Sequence, residues 1–154
     1  MTNAERILIA AYEAIEGLQG SVDPSIPFLR WRLREVALDS APLPYRIRAI
    51  LVSIGTVVPD ETWSTRSLRW YKGELRVQVG YISPAEAARD KDIEALGYEG
   101  MSDADTVLIV NKLLYSAFAN IGDMKSPEYL RSDPTVGTSR LHVLSIEWGE
   151  RVTV

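Results

Sequence analysis

His142 is the single histidine among 154 residues, so any Ser-His-Asp triad, proton shuttle or imidazole-held metal would have to include it. It sits in Arg140 to Trp148, where His142, Leu144, Ile146 and Trp148 share one side of an alternating pattern. A strand of that kind packs its apolar side, and the expectation is a packed imidazole without a catalytic role. Cysteine is absent, which removes thiolate nucleophiles, disulfides and every cysteine-ligated zinc or iron–sulfur site.

Carboxylates are numerous, but their spacing favours ordinary roles. Asp90, Asp92 and Glu94 alternate along a helical stretch and read as a solvated face. Asp103 and Asp105 open the next helix, where the positive end of its dipole accounts for them without a magnesium site. Glu147 and Glu150 flank a tight turn. A carboxylate-dependent hydrolase would need those two and an Asp of the 103–105 turn to converge in one cleft. Gly97 and Gly100 make no phosphate cradle, because neither Gly-Lys-Ser nor Gly-x-Gly-x-x-Gly occurs. The expected catalytic, cofactor-binding and metal-binding residues are therefore none.

Arg30, Arg32 and Arg34 around Trp31 have the composition of a nucleic-acid grip, with arginines on phosphate and tryptophan on a base. Period two sends Trp31 to the opposite face. The expectation is a strand with Trp31 in the core and its arginines toward solvent or an acidic partner chain. Formal net charge is −4, from 17 basic and 21 acidic residues, the wrong sign for binding driven by phosphate neutralisation. Trp63 and Trp70 read as core or interface anchors.

The elements that must position these residues follow from pattern and punctuation. A hydrophobic fraction of 46% and a charged fraction of 25% are those of one globular domain. Thr2-Asn3-Ala4-Glu5 is a capping box, and Ile7, Leu8, Ala11, Ile15 and Leu18 follow at helical spacing until Gly17 and Gly20. Glu5, Glu13 and Glu16 surround that run with no basic leader, so it reads as helix and not as a signal peptide. No stretch approaches the ~20 apolar residues that span a bilayer.

Leu29 to Arg34 alternates as a strand, with a helix continuing through Glu35, Val36 and Leu38 as the competing reading. Tyr45 to Ile54 predicts an interior strand, and Pro59-Asp60 a polar connection. Arg66 to Tyr71 and Glu74 to Ile82 bracket Lys72-Gly73 as a hairpin. Leu75, Val77, Val79 and Tyr81 share a strand face that runs into Ser83-Pro84-Ala85-Glu86, a second capping signal, for a helix to Leu96. Gly97 and Gly100 stop it. The helix after Ser102 is apolar around most of its circumference and ends at Gly122. Asp123 to Ser139, with Pro127, Pro134 and Gly137, predicts the longest loop, and Arg151 to Val154 a short final strand. The fold class is α/β (α+β): a small mixed, mainly antiparallel sheet with helices on one face.

This order resembles the tail terminator, or tail-completion, proteins of tailed bacteriophages. The residues carrying the resemblance are the helix around Ala4 to Ile15, the Pro44-Tyr45 strand, Leu75 to Tyr81 running into a helical region, and Arg140 to Trp148. The Leu29 to Leu38 segment and the Ser83 to Leu96 helix stand as additions to that order. The resemblance implies a non-enzymatic virion protein made in the host cytoplasm. It would form a ring, commonly a hexamer, that caps the tail tube and joins it to the head connector, with DNA passing through the lumen without specific binding and no membrane involved.

The interface between copies is expected at Arg30, Arg32 and Arg34 on the edge strand and at Met124, Tyr129, Leu130 and Arg131 in the 123–139 loop, a candidate inter-subunit arm. Deleting 124–137 is expected to block assembly and leave the domain folded. A protein-binding module of inhibitor or immunity type, monomeric or dimeric, is the alternative.

Overall fold

The structure, a computed structural model, describes residues 1–30, 47–81, 98–134 and 139–152. Trp31, Arg32, Arg34, the Glu35 to Leu38 continuation, the Pro44-Tyr45 strand start and the Ser83 to Leu96 helix lie outside the described residues.

α1 spans Asn3–Glu16 and starts as its capping box dictates. The Glu5 amide donates to Thr2 Oγ1 at 3.1 Å, and the Thr2 amide donates back to Glu5 Oε2 at 3.2 Å. Both otherwise orphaned amides at the helix start are satisfied. Gly17 caps the other end, and Ile7, Ala11 and Ile15 are fully buried on one stripe.

Among the described residues five strands form one sheet in the order β1-β2-β3-β5-β4. β1 is Leu29–Arg30, β2 Ala49–Asp60, β3 Leu68–Gly80, β4 Glu128–Pro134 and β5 Ser139–Arg151. β1 runs parallel to β2 and every other pair is antiparallel. The mainly antiparallel class read from the pattern is the one observed. α2 spans Tyr98–Tyr115 and packs on the same face as α1. Ile7 and Ile15 of α1 and Ile109 and Leu113 of α2 share one core with Ile50, Val77, Leu144 and Ile146 of the sheet. Each such aliphatic side chain contributes about 1.5–3 kcal/mol by leaving water.

Leu75, Val77, Val79 and Tyr81 all face the core as their alternation requires, and Glu74, Arg76 and Gln78 take the other face. That other face is polar. Arg76 bonds Glu74 at 2.9 Å and Thr56 Oγ1 at 3.0 Å across it.

Four expectations are corrected. First, Lys72 and Gly73 lie in the middle of β3, opposite Glu147 and Ile146. The β2–β3 turn is instead at 61–67, closed by Thr62 N on Asp60 Oδ1 (3.1 Å), Ser64 Oγ on the Asp60 carbonyl (2.8 Å) and Trp70 N on Ser64 Oγ (3.0 Å). Gly73 sits in a tight place: a Cβ there would stand 3.3 Å from both the Trp148 ring and the Gly55 carbonyl, so those neighbours would have to give by a few tenths of an ångström.

Second, β2 continues through Pro59 to Asp60, past a register shift between Gly55 and Val58 where Thr56 holds φ 53°. The one extra residue of this bulge, two residues opposite Gly73, absorbs what alternation alone does not accommodate.

Third, α2 begins at Tyr98, so Gly100 is inside it. Its buried stripe is Met101, Asp105, Ile109 and Leu113, whereas Val107 is 61% exposed; apolar residues do surround the helix, but they are not buried around most of its circumference. Fourth, residues 128–134 are a strand and not loop. β4 pairs with β5 from Glu128↔Ser145 to Pro134↔Arg140. Removing 124–137 would take out an edge strand and the Met124↔Trp148 bridge, so that deletion would disturb the fold as well as any assembly contact.

Candidate functional site

The densest polar centre surrounds Arg48, which is fully buried with φ 55° at the entrance to β2. A left-handed backbone is uncommon for a side-chain-bearing residue. Here the chain turns so that the Arg48 amide donates to the Gly80 carbonyl at 2.7 Å and its own carbonyl accepts from Leu29 N at 3.1 Å. The guanidinium is thereby aimed inward. Nε and Nη2 grip Asp105 Oδ2 and Oδ1 at 2.8 and 2.9 Å. Nη1 donates to the carbonyls of Asp23 (2.8 Å) and Ile26 (2.9 Å), and Nη2 to that of Val22 (2.5 Å).

All five guanidinium donors are used, the condition under which a buried arginine is tolerated. Tyr81 completes the cluster by donating to Asp105 Oδ2 at 2.7 Å. Its phenol is pushed far up, first by burial and then by the Asp105 charge, and stays protonated. Gly20 makes room for the cluster, since a Cβ there would lie 2.1 Å from Arg48 Nη2.

Chemically this is a staple. The Arg48 side chain ties the 20–28 connection and α2 to the start of β2, its amide holds the end of β3, and no guanidinium donor is left for a ligand. Asp105 is not a dipole-stabilised surface carboxylate as its place near a helix start implied. The usable signal was period four: counting back from Leu113 through Ile109 lands on Asp105 and Met101, which places a carboxylate on the buried stripe.

The carboxylates of the hydrolase reading are not brought together. Asp103 bonds Arg140 at 2.7 Å, while Glu147 is ion-paired with Lys125 at 2.7 Å. Arg140 and Glu147 are separated by seven residues of β5, roughly 20 Å of strand. Glu150 lies on the opposite face from Glu147 and accepts from Ala4 N at 3.2 Å at the start of α1. Lys125 also sits 4.2 Å from the Trp63 ring and 5.7 Å from that of Trp70, so both indoles clasp the segment before β4. Among the described residues no group of three His, Asp or Glu side chains is arranged to hold a metal ion. No described helix is long and apolar enough to cross a membrane. His142 is fully buried in β5, packed as its strand pattern implied.

Of the residues expected at an interface, Arg30 stacks on Tyr12 at 4.3 Å and bonds Glu16 at 2.7 Å. This group covers part of the open β2 edge: the Val52 amide donates to the Tyr12 hydroxyl at 2.9 Å. The main chain there is closed to strand addition by a side chain, a device that protects edges from unwanted pairing. Met124 and Tyr129 pack against the core. Leu130 is 44% exposed at the irregular step of β4, and Arg131 bonds Asp133 at 2.7 Å on the surface. The two sets do not converge. β1, with Leu29 48% exposed beside Arg30, and β4, with Leu130 and Arg131, are opposite ends of the strand order among the described residues.

Comparison with protein-family models and with curated proteins finds no match. What fold and site define is a small α+β domain with helices on one face of a sheet, a structural buried ion pair, and two unlike edges.

Proposed function

We propose that this chain is a non-enzymatic structural subunit that contacts copies of itself head to tail in a ring, as the tail terminator resemblance implies. The observation that carries the reading is the position of its two candidate contact surfaces at opposite edges of one sheet, one at Leu29 and Arg30, the other at Leu130 and Arg131. Contact between unlike patches is heterologous, and a heterologous contact closes into a ring when its rotation permits. Each edge also exposes a large aliphatic side chain where an edge strand is ordinarily polar. Tail tube and head connector are the partners such a ring would join in the virion, and the net charge of −4 disfavours adhesion to DNA passing its lumen.

The absence of cysteine allows a clean test. Leu29→Cys and Leu130→Cys proteins, each alone, are expected to resist a short thiol-to-thiol cross-linker. Their mixture should give a heterodimer band, and the double variant a ladder ending at the closed ring. Self-cross-linking of Leu130→Cys alone would mean a two-fold contact, and no cross-link in the mixture would remove these edges from the interface.

A further inference from the structure

β4 is the least secured strand of the sheet. It has seven residues, is bonded on one side only among the described residues, and its ladder with β5 is interrupted at Leu130. On its core-facing side Ser132 stands directly opposite His142. The imidazole is fully buried, and neither its Nδ1 nor its Nε2 has a hydrogen-bond partner among the described residues; nor has Ser132 Oγ. Three buried polar atoms on facing residues of β4 and β5 are therefore without a partner among the described residues. Such atoms regain hydrogen bonds when the seam opens to water.

Among the described residues, the charges around this seam give an imidazolium no counter-ion. On β5, Arg140 is a cation and is engaged by Asp103 and Thr106. The β3 residues on the same face are Leu75, Val77 and Val79. On β4, Arg131 and Asp133 bond each other on the opposite face. Asp105 of α2 is taken by Arg48 and Tyr81. Of the α1 charges, Glu16 is taken by Arg30, and Glu5, Arg6 and Glu13 are at the surface.

We infer that proton uptake by His142 releases β4 from β5 while the β1-β2-β3-β5 part of the sheet stays folded, making the edge strand an acid-sensitive latch. Burial, reinforced by Arg140, lowers the closed-state imidazole to about 4, whereas an imidazole reached by water titrates near 6.5. Between those values the open state binds the proton and the closed state does not, so acid favours opening. From pH 7.5 to pH 5 the open population should rise roughly 30-fold. The device would operate whether or not the chain forms rings.

Amide hydrogen exchange at pH 7.5 and pH 5, corrected for intrinsic exchange, tests this on the full chain. Protection of 128–134 and of the β5 amides facing β4 should drop by that factor, while the β2–β3 ladder keeps its protection. The His142→Leu protein should lose the pH step, and Ser132→Ala should keep it. A step that persists without His142, or protection lost equally in β2 and β3, would overturn the latch. Because the chain has one histidine, its imidazole proton resonance gives a second readout that needs no variant. Titration of the intact native protein near 6.5, with protection of 128–134 unchanged, would equally overturn it.

Discussion

Asp105→Asn is expected to lower stability by about 3–5 kcal/mol, the range for removing one partner of a buried ion pair. The substitution leaves the Arg48 guanidinium fully charged, fully buried and without its anion, and takes from Tyr81 the carboxylate it donates to. Arg48→Met should cost at least as much. It strands the Asp105 charge and also removes the donors that serve the carbonyls of Val22, Asp23 and Ile26. Domains of this size have about 5–15 kcal/mol in total, so either protein should be near the limit of folding.

The paired change Arg48→Met with Asp105→Leu separates the two contributions. Replacing a buried pair by apolar groups is often neutral, yet here three carbonyls still lack donors, so recovery should be partial. Urea midpoints at pH 7, with the slope of the transition unchanged, measure each step. Full recovery in the double variant would mean that the carbonyl contacts contribute little and that the staple acts on α2 alone.

The second large effect depends on pH. In the unfolded chain His142 takes a proton near 6.5, and in the folded chain only near 4. Within that window the unfolded state holds more protons, so stability increases with pH. The contribution is fully present above 6.5 and is lost as pH falls toward 4, a decrease of up to about 3 kcal/mol from this one residue. Exposed carboxylate pairs add only modestly to acid loss. Urea midpoints from pH 7.5 to 4.5 should fall steeply for the unaltered protein and weakly for His142→Leu. Parallel curves would show that the imidazole is not the controlling group.

Much of the fold was legible because it rests on local rules. The Thr2–Glu5 capping box, the Leu75 to Tyr81 face and the Leu144-Ile146-Trp148 face each follow from spacing within a dozen residues. What stayed hidden depends on contacts distant in sequence. β4 was masked by Pro127 and Pro134 at its borders, and only the edge of β5 makes those residues a strand. The hairpin was misplaced because Lys72-Gly73 looks like a turn, whereas that glycine lies inside β3 close under the ring of Trp148. Asp105 looked like a helix-start acid until Arg48, 57 residues earlier, was found beside it. The candidate interface was legible only as two composition signals, and their opposite edges emerged from the strand order.

Negative-stain electron microscopy of the purified chain, alone and with tail-tube subunits supplied, tests the head-to-tail account most directly. The account predicts rings with a central hole, lost when Leu130→Asp is introduced into a protein whose urea midpoint is unchanged. Particles that remain single 17.2 kDa domains, or closed two-fold dimers under both conditions, would contradict it.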